Sequence, residues 1–122
     1  MLIPFLVSKV HNATVTATYL NYSGSITIDP LIMEKSNLRQ FQKVEIYDIT
    51  NGNRFATYVI TGESGAGQIE INGAAARLVS VNDKIIIAAY ALLDERELNS
   101  LHSVLLVMDE NNRIERVING KL

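Results

Sequence analysis

The chain has 122 residues, with 11 lysines and arginines against 13 aspartates and glutamates, a net charge of −2. Hydrophobic residues make up 48% and charged residues 20%, which suits one globular domain over 1–122 and lacks the clustered positive charge that nucleic acid demands. There is no cysteine, and His11 and His102 are the only histidines, so disulfides, thiolate chemistry and iron–sulfur ligation are excluded and no metal site is expected.

Residues 1–7 have no basic leader, and the longest apolar run, 85–93, is half of the roughly 20 residues a membrane helix needs. The expectation is a cytoplasmic protein with no membrane span. Runs of β-branched and aromatic residues between turn residues predict strands over 2–9, 14–20 and 25–29. Asp29 then caps a short helix with Pro30 at its first position, running to Lys35. A strand over 43–50 sets Val44, Ile46 and Asp48 on one face and Glu45, Tyr47 and Ile49 on the other. Asn51-Gly52-Asn53 turns it back into a strand over 54–60, since asparagine and glycine tolerate positive φ. The stretch 61–67 reads as the most flexible. Strands follow over 68–71 and 84–90, and a hairpin over 104–108 and 114–118 turns at Glu110-Asn111-Asn112. Short helices are expected at 74–78 and 93–98. Strands at this density with brief helices predict a mainly β fold, a small β-barrel.

The distribution of charge is informative. Lys9 is the one formally charged side chain in 1–28, and Arg54 the one in 54–62. Each is either a snorkelling edge cation or a group facing an anion, which arginine grips with two parallel hydrogen bonds and lysine with a point charge. The common catalytic patterns fail. Gly62-Glu63-Ser64-Gly65-Ala66 lacks the last glycine of a nucleophile elbow, and neither a dinucleotide fingerprint nor a phosphate loop forms. Asp94, Glu95 and Glu97 read as a solvated face, and no paired carboxylates stand out as acid and base.

The octet Tyr22-Ser23-Gly24-Ser25-Ile26-Thr27-Ile28-Asp29 is more specific than any of these. It resembles the processing site of bacterial aspartate 1-decarboxylases, pyruvoyl-dependent enzymes that make β-alanine for pantothenate. Further blocks follow in order: Lys9-Val10-His11, then Thr50-Asn51-Gly52-Asn53-Arg54-Phe55-Ala56-Thr57-Tyr58, Ile71-Asn72-Gly73-Ala74-Ala75-Ala76, and 81–87. Ser23 departs from the glutamate that many members carry, and residues 94–122 show no matching pattern.

The resemblance implies a double-psi β-barrel that assembles as a homotetramer with sites between subunits. It implies self-cleavage between Gly24 and Ser25 into a β chain, 1–24, and an α chain, 25–122, and it leaves open a maturation accessory protein. Ser25 would attack the Gly24 carbonyl, which glycine permits at least steric cost, with Thr57 stabilising the oxyanion and Asn72 ordering the site. Elimination and hydrolysis would leave a pyruvoyl group, the covalent cofactor, formed from Ser25. That ketone would take the amine of L-aspartate as a Schiff base and act as electron sink. Lys9 and Arg54 are assigned to the substrate's carboxylates, with Thr57, Gly73, Ala74 and Ala75 as further contacts and Tyr58 as proton donor. His11 and Tyr22 are supporting residues. A pyruvoyl lyase acting on another acidic amino acid and a non-catalytic β-barrel binding module are the alternatives.

Overall fold

Nine strands carry the fold in the computed structural model, which describes residues 1–121, Lys121 by its backbone alone. They are β1 (Leu2–Thr14), β2 (Ala17–Tyr19), β3 (Ser25–Ile28), β4 (Lys43–Asp48), β5 (Arg54–Thr61), β6 (Ile69–Asn72), β7 (Lys84–Asp94), β8 (His102–Met108) and β9 (Ile114–Lys121). One α-helix, α1 (Pro30–Ser36), and two 3₁₀ helices complete the chain. The mainly β expectation holds, and each of the predicted strands has a counterpart.

The strand order is β2-β6-β3-β5-β4-β7-β1-β8-β9. Only Val15 and Thr16 separate β1 from β2, and their amides donate to the Asp83 and Ile69 carbonyls at 3.0 and 2.8 Å. Strands β1 and β2 therefore act as one bent strand whose two segments close the sheet from β6 round to β7, giving a small barrel that abolishes its own edges. The β8–β9 hairpin is added outside the closure, along β1. Alternation then decides what lies within. Val44 and Ile46 of β4, Ile26 and Ile28 of β3, Ile69 and Ile71 of β6, and Ile85 and Ile87 of β7 are all buried in one core. Among the described residues no helix is long and apolar enough to cross a membrane.

The departures from expectation have local causes. Strand β1 runs past Lys9 to Thr14 because a bulge, with Asn12 at φ 64°, absorbs a register shift against β7 between Val10 and Ala13. The second predicted strand shrinks to β2. Strand β7 extends to Asp94 because the start of β1 pairs with it, Leu2 opposite Asp94. The two late helices are 3₁₀ turns, Gly73–Arg77 and Glu95–Ser100. Asp94 and Glu97 form a capping box for the second, so they cap a helix as well as facing water.

Asp29 caps α1 as expected, accepting from the Leu31 amide at 2.9 Å. It also accepts from the amides of Gly65 and Gly67, at 3.1 and 2.8 Å, so one carboxylate ties the glycine-rich 61–67 segment to the helix start. Burial pushes the Asp29 carboxyl up, but these three amides more than offset it and hold the group below the usual carboxylate range.

Candidate active site

Ser25 is the first residue of β3 and is buried. Ile26 and Ile28 face the core, so alternation turns Ser25 and Thr27 to the other face of the sheet. Asn72, the last residue of β6 and the register partner of Ser25, lies on that face too. Its Nδ2 donates to Ser25 Oγ at 2.9 Å and to Thr27 Oγ1 at 3.0 Å. The Ser25 hydroxyl has a long contact of 3.5 Å to the Ser23 carbonyl, within the loop that carries Gly24.

Gly73 follows Asn72 at φ 76°, where a side chain is disfavoured. A Cβ there would stand 2.7 Å from Gly24 Cα, 2.8 Å from Gly24 N and 3.0 Å from the Tyr22 carbonyl oxygen. The backbone of Gly73 is thus the floor on which the Gly24–Ser25 segment rests. Gly24 itself is exposed, has no positive φ, and has open space where a Cβ would go. Of the two glycines, Gly73 is the one at positive φ. Ala74 and Ala75 continue into the 3₁₀ helix, whose first amides have no partner within the helix. Tyr22 is exposed and lines a groove of about 430 Å³ with Tyr19, Thr27, Glu70 and Asn72.

Strand β5 runs parallel to β3 with Val59 opposite Ile26, which brings Tyr58 level with Ser25 and Thr57 level with Gly24. Val59 is buried, so Tyr58 faces outward with Ser25, and Thr57, half-buried, takes the opposite side. The Tyr58 ring packs against Phe41 with centroids 6.3 Å apart and planes tilted by 52°. Phe41 has φ 70°, a strained value for a bulky residue, and its amide is held by the Val59 carbonyl at 2.7 Å. Neither Phe41 nor Thr27 stood out in the sequence.

The two cations occupy a different part of the same outward surface. Lys9 lies opposite Ala88, and Ala88 opposite Glu45. Lys9 lies on β1, which is not a neighbour of β3, and Arg54 is four residues from Tyr58, roughly 13 Å along β5. The registers thus bring together Ser25, Asn72, Gly73, Gly24 and Tyr58, while Lys9 pairs with Ala88 and Leu105 and Arg54 with Tyr47. His11 sits with Lys9 on β1, not with Ser25. Burial first, and then the Lys9 charge, hold its imidazole below the usual histidine range, and its buried Nδ1 has no hydrogen-bond partner among the described residues.

Arg54 stacks over the Tyr47 ring, 4.0 Å from guanidinium carbon to ring centroid, and the Tyr47 hydroxyl is 2.9 Å from that of Tyr90. Counting outward from the Asn51-Gly52-Asn53 turn would set Tyr47 opposite Thr57, but the connection takes up residues 48–53 and the register places Tyr47 opposite Arg54.

Asp48 and Asp83 form a buried carboxyl pair that the sequence reading did not anticipate. Both brace turns. Asp48 Oδ1 accepts from the Thr50 and Asn51 amides at 2.8 and 3.2 Å, and Asp83 Oδ2 from the Ser80 amide at 2.9 Å. Burial, and then the neighbouring Asp83 carboxyl, push the Asp48 carboxyl up to about 6.

The family model described as aspartate decarboxylase matches residues 1–115, and so includes most of the 94–122 segment in which no motif was legible. An aspartate 1-decarboxylase of Clostridium botulinum (strain Loch Maree / Type A3) is 53% identical over 119 residues, 98% of this chain and 94% of the relative. One from Sulfurimonas denitrificans is 52% identical over 118 residues, 97% of this chain and 98% of the relative. One from Wolinella succinogenes is 54% identical over 112 residues, covering 92% and 93%.

Proposed function

The chain belongs to the aspartate decarboxylase family, and we propose that it decarboxylates L-aspartate to β-alanine after cutting its own backbone between Gly24 and Ser25. The observation that carries the self-cleavage is the seating of that bond, with Asn72 Nδ2 on Ser25 Oγ at 2.9 Å and Gly73 directly beneath Gly24.

In this reading Ser25 Oγ attacks the Gly24 carbonyl carbon, and the peptide nitrogen leaves as the amine of residue 25. The product is an ester between Gly24 and the Ser25 side chain. Loss of the Cα proton expels the Gly24 carboxylate and leaves a dehydroalanine. Water then converts its enamine nitrogen to ammonia and its carbons to a ketone. The resemblance assigns the oxyanion of the first step to Thr57, which is level with Gly24 but turned to the opposite side of β5 from Tyr58.

A pyruvoyl group fits the residues present, because it is made from Ser25 itself and needs no further pocket. When formed, it supplies an electron sink for loss of the α-carboxylate. The chain's own groups do the rest. Tyr58, on the face and at the level of Ser25, delivers a proton to the substrate carbon. The first amides of the Gly73–Arg77 turn hold the substrate in place. Lys9 and Arg54 neutralise carboxylate charge. Neither cation is a register partner of Ser25, Asn72 or Tyr58, and in a homotetramer a neighbouring copy would bring its cations to this site. The parallel pairs β2·β6 and β3·β5 inside the barrel support a double-psi crossing.

Intact-mass spectrometry of the purified protein tests the proposal. The expected result is a fragment ending at Gly24 and a second whose first residue is lighter than an N-terminal serine by one ammonia. The Ser25→Ala variant stays one chain and makes no β-alanine. Full β-alanine production by unbroken chains would overturn the reading.

A further inference from the structure

Arg54 is exposed and makes no ion pair among the described residues, yet it is not a free side chain. Its guanidinium lies 4.0 Å over the Tyr47 ring. That ring could swing about its own side-chain torsions, as tyrosines on an open sheet face do, but its hydroxyl is 2.9 Å from the Tyr90 hydroxyl. The link crosses from β4 to β7 on the outward face. Tyr47 is registered with Ile86, and Tyr90 lies four residues further along β7. Between them is Ala88, registered with Glu45, whose methyl leaves the space open. The groove beside this link, about 500 Å³, is lined by Lys43, Glu45, Tyr47, Ala88 and Tyr90. Tyr90 is held above the usual phenol range, first by its bond to Tyr47 and then by burial, so the bridge keeps its proton at neutral pH.

We infer that Tyr90, acting through Tyr47, is a positioning residue that fixes the plane of the Arg54 guanidinium for a substrate carboxylate. The inference rests on the proposed role of Arg54 as a carboxylate partner. A guanidinium binds a carboxylate through two parallel N–H donors, so affinity depends on the plane in which it is presented. An unsupported arginine on a strand would sample many rotamers and lose that order on each binding event. Stacking on Tyr47 removes part of this loss in advance, and the hydroxyl bridge keeps the stacking surface still. Tyr90 touches neither substrate nor the reacting atoms.

The test uses matured enzyme and two independent readouts. Arginine-labelled protein reports the ring-current shift of the Arg54 side-chain resonances, assigned by their loss in Arg54→Lys. Steady-state kinetics report KM and kcat for L-aspartate. In Tyr90→Phe the Arg54 shift falls toward the free value, and KM rises about threefold while kcat stays near the wild-type value, as expected for loss of an exposed cation–π arrangement. Tyr47→Phe keeps the ring but loses the bridge, so it behaves as Tyr90→Phe does, and the double variant is no worse than either single one. Tyr47→Leu, which removes the ring, gives the larger rise in KM. An unchanged Arg54 shift in Tyr90→Phe overturns the inference, as does a lost shift with unchanged KM. Arg54→Ala separates the two levels. If its KM is also unchanged, the carboxylate role of Arg54 has failed. If its KM rises while Tyr90→Phe is silent, only the positioning role has failed.

Discussion

Asn72 donates from one amide nitrogen to both Ser25 Oγ and Thr27 Oγ1, at 2.9 and 3.0 Å, and so fixes the rotamer of the residue that begins β3. The bond runs into the serine oxygen, which leaves the hydroxyl proton to point toward the loop it is to cut. Replacing Asn72 by alanine frees the Ser25 rotamer and leaves two hydroxyls of a buried cluster without that donor. Self-cleavage should slow by about tenfold, the size expected for one hydrogen bond acting in a transition state. A time course of chain cleavage on a denaturing gel measures this. A wild-type rate would remove Asn72 from the ordering role.

Gly24 and Gly73 make opposite predictions although both border the same peptide. A Cβ on Gly24 meets nothing within 4 Å, so Gly24→Ala should fold with a melting temperature close to that of Ser25→Ala, the uncut reference. A Cβ on Gly73 would stand 2.7 Å from Gly24 Cα at a backbone φ of 76°. Gly73→Ala should therefore stay largely uncut, and its uncut chain should melt lower than the reference by an amount corresponding to about 1–3 kcal/mol of backbone strain. Rapid maturation of Gly73→Ala would show that the floor beneath Gly24 is not needed.

How much of this was legible follows from which contacts are local. The hairpin about Asn51-Gly52-Asn53 and the Asp29-Pro30 helix start are set by neighbouring residues, and both were readable. The inward face Val44, Ile46 and Asp48 was readable from alternation alone. The bulge at Asn12 was not, because asparagine at positive φ costs little and leaves no mark in composition. Lys9 and Arg54 stood out as lone cations in apolar strands, and the other site residues were named through resemblance. Their division into a Ser25 group and a Lys9–Arg54 group depends on strand order, which no local pattern encodes. The Asp48–Asp83 pair joins residues 35 positions apart across two turns, so the sequence showed two ordinary loop aspartates.

Tyr58 sits level with Ser25 and on its face, with Phe41 packed against the ring. Its assigned act, protonation, follows decarboxylation and is separate from cleavage. Tyr58→Phe should therefore mature at the normal rate and lose turnover by about 10²–10⁴-fold, the usual worth of a positioned proton donor. Mass spectrometry establishes maturation, and β-alanine release measures turnover. Normal turnover in a fully cut variant would eliminate Tyr58 as the donor.

The Asp48–Asp83 pair gives the fold a pH dependence of definite sign. Asp48 is raised to about 6 in the folded chain, by burial and then by Asp83, against an ordinary unfolded value near 3.8. Between those values the folded state holds a proton that the unfolded chain releases, so stability falls as pH rises. The loss accrues between about pH 4 and 6 and levels off above, where it is on the order of 3 kcal/mol. Asp83→Asn changes this. Its side-chain oxygen still accepts from the Ser80 amide, and its new amide can donate to Asp48 Oδ2, which has no partner among the described residues. The variant should melt higher than the parent at pH 8, should differ little from it at pH 4, and should flatten the slope between. Thermal denaturation across that range, carried out on both chains in the uncut Ser25→Ala background, measures all three. A parallel profile for the two proteins would mean that Asp83 does not raise the Asp48 carboxyl in the folded chain.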